Sequence, residues 1–291
     1  MTHGRAVALM VAVTLLWSIA GVVTRWLDSA HSFEVTFWRS AFNALALVVM
    51  LGVLRGPAVL AASLRSGGRA LWLSSLCWCT MFTAFMVAIT LTTVANVLVT
   101  MALAPLFTAL IARVALGHRL AVRTWAAIVL AGAGIAWMYA SELQGGRHLV
   151  GTAVALAVPL AAAVNWTLLQ SLRGREAAPD MLPAVLIGAL LSAALTLPLA
   201  WPLQASAHDV GLLAMLGVVQ LAIPCLLSVT VARRLPAPEM SLLALLEVLF
   251  GVAWAWLGAG EAPSSAVLAG GALVLLALAG NEALALRSRR L

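Results

Sequence analysis

Read for runs of apolar residues, the chain divides into about ten long hydrophobic segments separated by short polar breaks. They fall near 6–27, 33–54, 70–90, 94–114, 122–140, 148–171, 181–202, 209–231, 239–258 and 265–286. Each is close to the roughly 20 apolar residues that a helix needs to cross a bilayer. In lipid, a helix or a closed barrel is required to satisfy the backbone over such a stretch. The pattern predicts an all-α integral membrane protein with ten transmembrane helices. The first segment follows only Met1 to Arg5 and has no small-residue cleavage site after it, so it reads as a retained helix, not a cleaved signal. The link Thr90–Val94 folds segments three and four into a tight hairpin, and Arg233, Arg234 and Pro236 punctuate the link between eight and nine.

The apolar pattern repeats internally. ALAPLFTALIARVALGHRL, running from segment four into five, aligns with LLEVLFGVAWAWLGAGEAP, running from nine into ten, at an offset of 143. Leu106-Phe107 then meets Leu249-Phe250, Gly117-His118 meets Gly260-Glu261, and Pro105 meets Val248. Each half therefore holds five helices, residues 1–143 and 144–291. An odd number puts the second half upside-down relative to the first. Inverted repeats of this kind characterise secondary transporters, whose substrate site lies between the repeats near the midplane.

Charge gives an independent reading of the same topology. All 17 basic residues are Arg. The N-terminus, the even-numbered loops and the C-terminus carry 14 of them, the odd-numbered loops only Arg25 and Arg147, and Arg39 lies inside segment two. The positive-inside rule then sets both termini in the cytoplasm. Charge also changes side between the halves. The loop after segment two has Arg55, Arg65 and Arg69, whereas its counterpart after segment seven has only His208 and Asp209. The loop after segment four has Arg119 and Arg123, and its counterpart has Glu261.

Composition agrees: the chain is 64% hydrophobic and 9% charged, with mean hydropathy +1.07. A soluble domain carries about 25% charge. The net charge of +7 does not make a nucleic-acid binder, because the Arg residues are dispersed in twos and threes beside apolar segments. Cys77, Cys79 and Cys225 read as small apolar fillers. No metal or cofactor site is legible. The absence of Lys points to a GC-rich bacterial genome.

The two five-helix halves, Leu16-Trp17-Ser18 in segment one, Arg39 in segment two and the two aligned stretches make the chain resemble the ten-helix EamA-type exporters of the drug/metabolite transporter superfamily. The nearest subgroup is that of bacterial exporters of amino acids: aromatic ones, threonine and methionine. The departures are His118, where the family usually has Glu, and Val248, where it usually has Pro. The resemblance implies a basket of helices around a central cavity, with helices five and ten at its periphery. It also implies a multi-pass protein of the bacterial inner membrane, monomeric or homodimeric, that acts on a small molecule.

Polar groups inside a membrane are costly and usually face the bundle interior or a cavity. Glu247 is the one acid well inside a predicted helix. It reads as a proton carrier or an anchor for a substrate ammonium, or alternatively as a packing residue. Trp17, Trp78, Trp166 and Trp254 lie mostly away from helix ends, and Ser18, Thr80 and Asn165 accompany them. Aromatic walls with a few polar groups suit an amphiphilic solute. Ordinary helix packing is the competing reading for each. Thr83, Asn96, Thr100 and Gln220 are further candidates. Arg39, about six residues into its segment, reads as snorkelling to the interface, with carboxylate binding or structural pairing with Glu34 or Asp28 as the alternatives. Pro105 and Pro224 are candidate hinges.

Catalytic signatures are missing. There is no G-x-S, H-E-x-x-H, P-loop or G-x-G-x-x-G, and these 291 residues leave no room for a nucleotide-hydrolysing domain. The reading is a secondary transporter exporting small organic metabolites by alternating access, and not an enzyme. A multidrug/proton antiporter is the alternative within the class. Segments one and six lack a carboxylate, which favours zwitterionic or neutral solutes. A membrane-embedded enzyme acting on lipid is the alternative outside it, and would need interfacial His/Asp/Ser clusters.

Overall fold

The computed structural model describes residues 1–24, 26–30, 32–66, 68–92, 94–117, 120–138, 149–173, 179–259 and 264–288. Arg25, His31, His118, Arg119, Arg147, His148, Arg175, Glu261, Arg289 and Arg290 lie outside these residues, as do the boundary at 143 and the side chain of Asn96. Among the described residues the secondary structure is entirely helical. The first half contains α1 (His3–Trp17), α2 (Ala20–Thr24), α3 (Ser32–Arg55), α4 (Pro57–Ser66), α5 (Gly68–Leu91), α6 (Val94–Met101), α7 (Ala104–Leu116) and α8 (Val122–Met138). The second contains α9 (Leu149–Ser171), α10 (Leu182–Ala200), α11 (Ala207–Met215), a π-helical stretch Leu216–Ala222, α12 (Ile223–Val231), α13 (Ala237–Ala244), α14 (Leu246–Ala259) and α15 (Ser265–Ser288).

Among the described residues, seven continuous stretches are long and apolar enough to cross a membrane. Three shorter apolar helices, Ala104–Leu116, Val122–Trp137 and Ser265–Asn281, accompany them. Each overlies one of the predicted segments. One element was not expected: α4 forms where the sequence read as a loop after segment two.

The bundle presents large apolar side chains to its surroundings, and its largely apolar core also encloses polar side chains. Val53, Val114, Val122 and Leu257 stand out from the surface, while Ser40, Asn43, Ser74, Thr108 and Asn165 are fully buried. Trp26, Trp72 and Trp201, near helix ends, are exposed, where interfacial rings belong.

The helices touch in a definite order. α3 packs on α10, α5 on α9 and α10, α7 on α9 and α13, and α1 on α12, α13 and α14. α8 packs mainly on α15 at the edge of the bundle. A Cβ added at Gly134 would lie 2.7 Å from the Gly270 carbonyl, so α8 and α15 meet backbone to backbone, as small residues permit.

Contacts between the helix ends separate the loops into two groups. At one end, Asp209 gathers the first and seventh loops: it accepts from the backbone of Asp28 at 2.8 Å, Ser29 at 3.0 Å, Ala30 at 3.2 Å and Ser206 at 3.3 Å, and from Ser29 Oγ at 2.9 Å. Glu34 accepts there from the backbone of Gln204 and Ala205, at distances from 2.8 to 3.0 Å. At the other end, Asp180 of the sixth loop meets Arg55 at 3.1 Å and Arg233 at 3.5 Å, and His3 meets Glu239 at 3.1 Å.

Candidate functional site

Helix breaks frame the centre of the molecule. The first predicted segment breaks after Trp17, the fourth at Ala102–Leu103, and the ninth at Leu245, while the eighth loosens into the π stretch. Pro105 stands in the first turn of α7, where a missing N–H costs nothing. Pro224 follows the π stretch inside the continuous span Ala207–Val231, where its missing N–H removes a helix bond. At Leu245 no proline is involved, and the chain passes the break through 3₁₀-type bonds, Leu245 N to Leu242 O at 3.2 Å and Val248 N to Leu245 O at 3.1 Å. The breaks of segments four and nine lie 143 residues apart, at Ala102 and Leu245.

A cavity lies among these breaks, with about 960 Å³ of atom-free space including its open mouth. Trp17 at the end of α1 and Met101 at the end of α6 border it, with Ala104, Leu245 and Glu247 just across the breaks. Trp78, Phe82 and Phe85 of α5 and Trp166 of α9 form aromatic walls. Trp78 and Trp166 meet edge to face, with ring centroids 5.8 Å apart and planes at 87°, and Trp78 stacks obliquely on Phe82 at 5.6 Å. Gln220 of the π stretch and Arg39 of α3 complete the wall. Every predicted segment from one to four and six to nine contributes except the seventh: α10 lies behind the wall, against α3 and α5.

Of the residues proposed from sequence, Trp17, Trp78, Trp166 and Glu247 line this cavity, and Gln220 does too. Ser18, Thr80, Asn165 and Trp254 do not. Asn165 accepts from Ser74 Oγ at 2.6 Å, tying α9 to α5. Trp254 donates its ring N–H to Ser18 Oγ at 3.0 Å, so these two tie α14 to the first segment. Thr83 shares Ser192 with Ser40, at 2.9 and 3.0 Å, in an interhelical hydroxyl cluster.

Arg39 overturns the snorkelling expectation. Only 2% of it is exposed, and it borders the cavity. Its Nη2 donates to the Phe82 carbonyl at 3.4 Å, and its Nε has no partner. Among the described residues no ion pair joins Arg39 to a carboxylate, although Glu247 borders the same cavity. Gln220 donates to the Trp17 carbonyl at 3.1 Å, while its Oε1 is unpartnered. Phe82, Phe85 and Met101 were also missed. Hydropathy marks them only as apolar, and nothing in the pattern shows which face they occupy.

Asp28, His208 and Asp209 come close enough together to suggest a metal site. Both oxygens of Asp209 already accept the donors that hold the first and seventh loops, so the cluster reads as a staple between loops.

Residues 4–140, somewhat less than half of the chain, match the model of the EamA-like transporter family. A solved structure titled only "Crystal structure of protein" shares the fold, with a TM-score of 0.80 over 98% of this chain and 99% of that one, at 18% identity. No curated protein matches the chain.

Proposed function

We propose that this protein is a secondary transporter of the bacterial inner membrane. It exports small organic metabolites, amino acids first among them (aromatic ones, threonine and methionine), by alternating access and without a cofactor. The observation that carries the reading is an aromatic cavity at the meeting point of the helix breaks, bearing one buried cation and one carboxylate. Discontinuous helices around an interior cavity are how transporters expose backbone and charge to a substrate without exposing them to lipid. The family match over residues 4–140 supports membrane transport of small solutes.

We read the seven long spans and three shorter apolar helices as ten crossings, arranged as inverted halves 1–143 and 144–291. The packing order supports a two-fold relation. Exchanging segment one with six, two with seven, three with eight, four with nine and five with ten maps α5–α9 onto α1–α12. It also maps α5–α10 onto the contact of α3 with the π stretch, and α7–α9 onto α1–α13. The pairs α3–α10, α7–α13 and α8–α15 map onto themselves. Meeting of the second, sixth and eighth loops at one end and of the first and seventh at the other is what alternating crossings require. With the Arg-rich loops inside, both termini are cytoplasmic. The protein works in the bilayer as a monomer or homodimer.

Glu247 is the group we assign to proton or charge coupling, because it is the carboxylate that borders the cavity. The same observation favours the competing reading, a multidrug/proton antiporter, in which Glu247 holds a drug cation. Counterflow in proteoliposomes separates them. Labelled Phe, Trp, Thr and Met should exchange down an imposed gradient without ATP, and a lipophilic drug cation should not compete. Exchange of the cation alone supports antiport, and a strict ATP requirement removes both.

A further inference from the structure

A guanidinium held inside a membrane protein is always charged and presents five N–H donors in a planar fork. It remains in such a place only when its surroundings take up that charge and those donors. At Arg39 the protein itself does little of this. One long bond to a carbonyl is made, Nε is unpartnered, and no carboxylate touches the group among the described residues. The side chain is nonetheless 98% covered and borders the cavity.

Its position is fixed from behind. A Cβ built at Gly217 would lie 2.8 Å from the Arg39 carbonyl, 2.8 Å from Asn43 N and 2.6 Å from Phe42 Cβ. α3 and the π stretch therefore touch backbone to backbone at this level, and Arg39 cannot be drawn outward without parting them. One turn further along α3, Asn43 is fully buried with both amide atoms unpartnered. Asn43 does not line the cavity, so at the wall it is Arg39 that holds donor capacity the chain leaves unused.

We propose that Arg39 is the carboxylate anchor of the cavity, so that a ligand must carry a carboxylate, with its apolar part against Trp78 and Trp166. Planar bidentate pairing with a carboxylate is the chemistry that best satisfies a guanidinium. Glu247 borders the same cavity, and no ion pair joins it to Arg39 among the described residues. A zwitterion joins the two, with its carboxylate at Arg39 and its ammonium at Glu247. The inference rests on the transport reading above in taking this cavity as the substrate site, and it makes Arg39 the residue that selects for acids over amines.

The test compares acids with their amides on the purified full chain in nanodiscs. The pairs are L-phenylalanine and L-phenylalaninamide, L-threonine and L-threoninamide, and 3-phenylpropionate and 3-phenylpropionamide. Binding is measured by titration calorimetry and by the shift in thermal unfolding. The acid should bind roughly ten- to hundredfold more tightly than its amide, the range expected for hydrogen bonds to a charged group. Arg39→Gln should erase that difference, and Arg39→Lys should restore part of it. The wild-type comparison stands even if the Gln variant does not fold. Amides binding as tightly as acids, or no acid binding at all, overturns the anchor. Acid binding that depends on Arg39, with no counterflow of Phe, Trp, Thr or Met, leaves the anchor standing and removes amino-acid export.

Discussion

Replacing Trp166 with Ala tests the cavity most directly. The indole is 4% exposed, borders the cavity and meets Trp78 edge to face at 5.8 Å. Removing it has two consequences. The edge-to-face contact is worth about 0.5–1.5 kcal/mol, and loss of a buried Trp costs a further amount through the void it leaves, so that Trp→Ala totals about 3–5 kcal/mol in soluble cores. In lipid the water-transfer part of that figure is absent, because lipid is as apolar as the protein interior. The packing part remains, so Trp166→Ala should fold with a lowered thermal midpoint. The second consequence is for the substrate. An aromatic ring that loses a full indole face loses on the order of 1–3 kcal/mol, which is roughly five- to 150-fold in affinity at 1.4 kcal/mol per decade. Counterflow of labelled Phe and Trp in proteoliposomes should therefore weaken about tenfold or more, and that of Thr much less. Trp166→Phe, which keeps a ring, should recover most of the loss. A folded Trp166→Ala protein that transports Phe at the wild-type rate would show that the cavity is not where the ring binds.

Glu247→Gln should flatten the pH dependence of transport while leaving a folded protein. A fall in expression with an unchanged pH profile would make Glu247 a packing residue instead. Single cysteines near residues 30, 92, 145, 207 and 262 should react with an impermeant reagent from the periplasm, while those at 60, 119, 175 and 234 should not. Periplasmic labelling at 119 or 234 would overturn both the orientation and the inversion. Asp209→Asn removes the charge that five donors from the first and seventh loops converge on. Amide exchange at Ser29 and Ala30 should then accelerate while the core of α9 stays protected, and unchanged exchange would deny Asp209 its role as a staple.

The seven long spans were legible because bilayer thickness fixes a length and hydropathy reads length. Much of the interior was not, because hydropathy says how far along a helix a residue lies and not which way it faces. Arg39 is the clearest case. Its depth suggested a side chain escaping to the interface, yet its face of α3 is turned inward. Asn165 and Trp166 were taken together because they adjoin in sequence. Successive residues on a helix point about 100° apart, so Trp166 meets the cavity while Asn165 meets Ser74. The helix breaks were half-legible: Pro105 announces the start of α7, whereas Leu245 has no such signal, and only its repeat alignment with Ala102 points to it. α4 was passed over because its ten residues are too few to cross a bilayer. Trp254 and Ser18 look like ligand groups in a list of polar and aromatic residues, and become partners of each other once α14 crosses the first segment.

The proposed repeat sharpens the significance of the charge at the site. Under the offset of 143, Glu247 occupies the position of Ala104 in the first half. Both residues border the cavity just after a helix break, one neutral and one acidic. Arg39 has no cationic equivalent either, since the same offset leads to Leu182. Related halves can supply the scaffold for two alternating states, in which each half in turn takes the role of the other. A site that is charged equally on both walls would hold a zwitterion equally well in opposite orientations. Placing the cation on a helix of one half and the carboxylate on a helix of the other gives the cavity a single electrical direction. It also leaves the aromatic walls of α5 and α9 to take up the apolar part of whatever that direction selects.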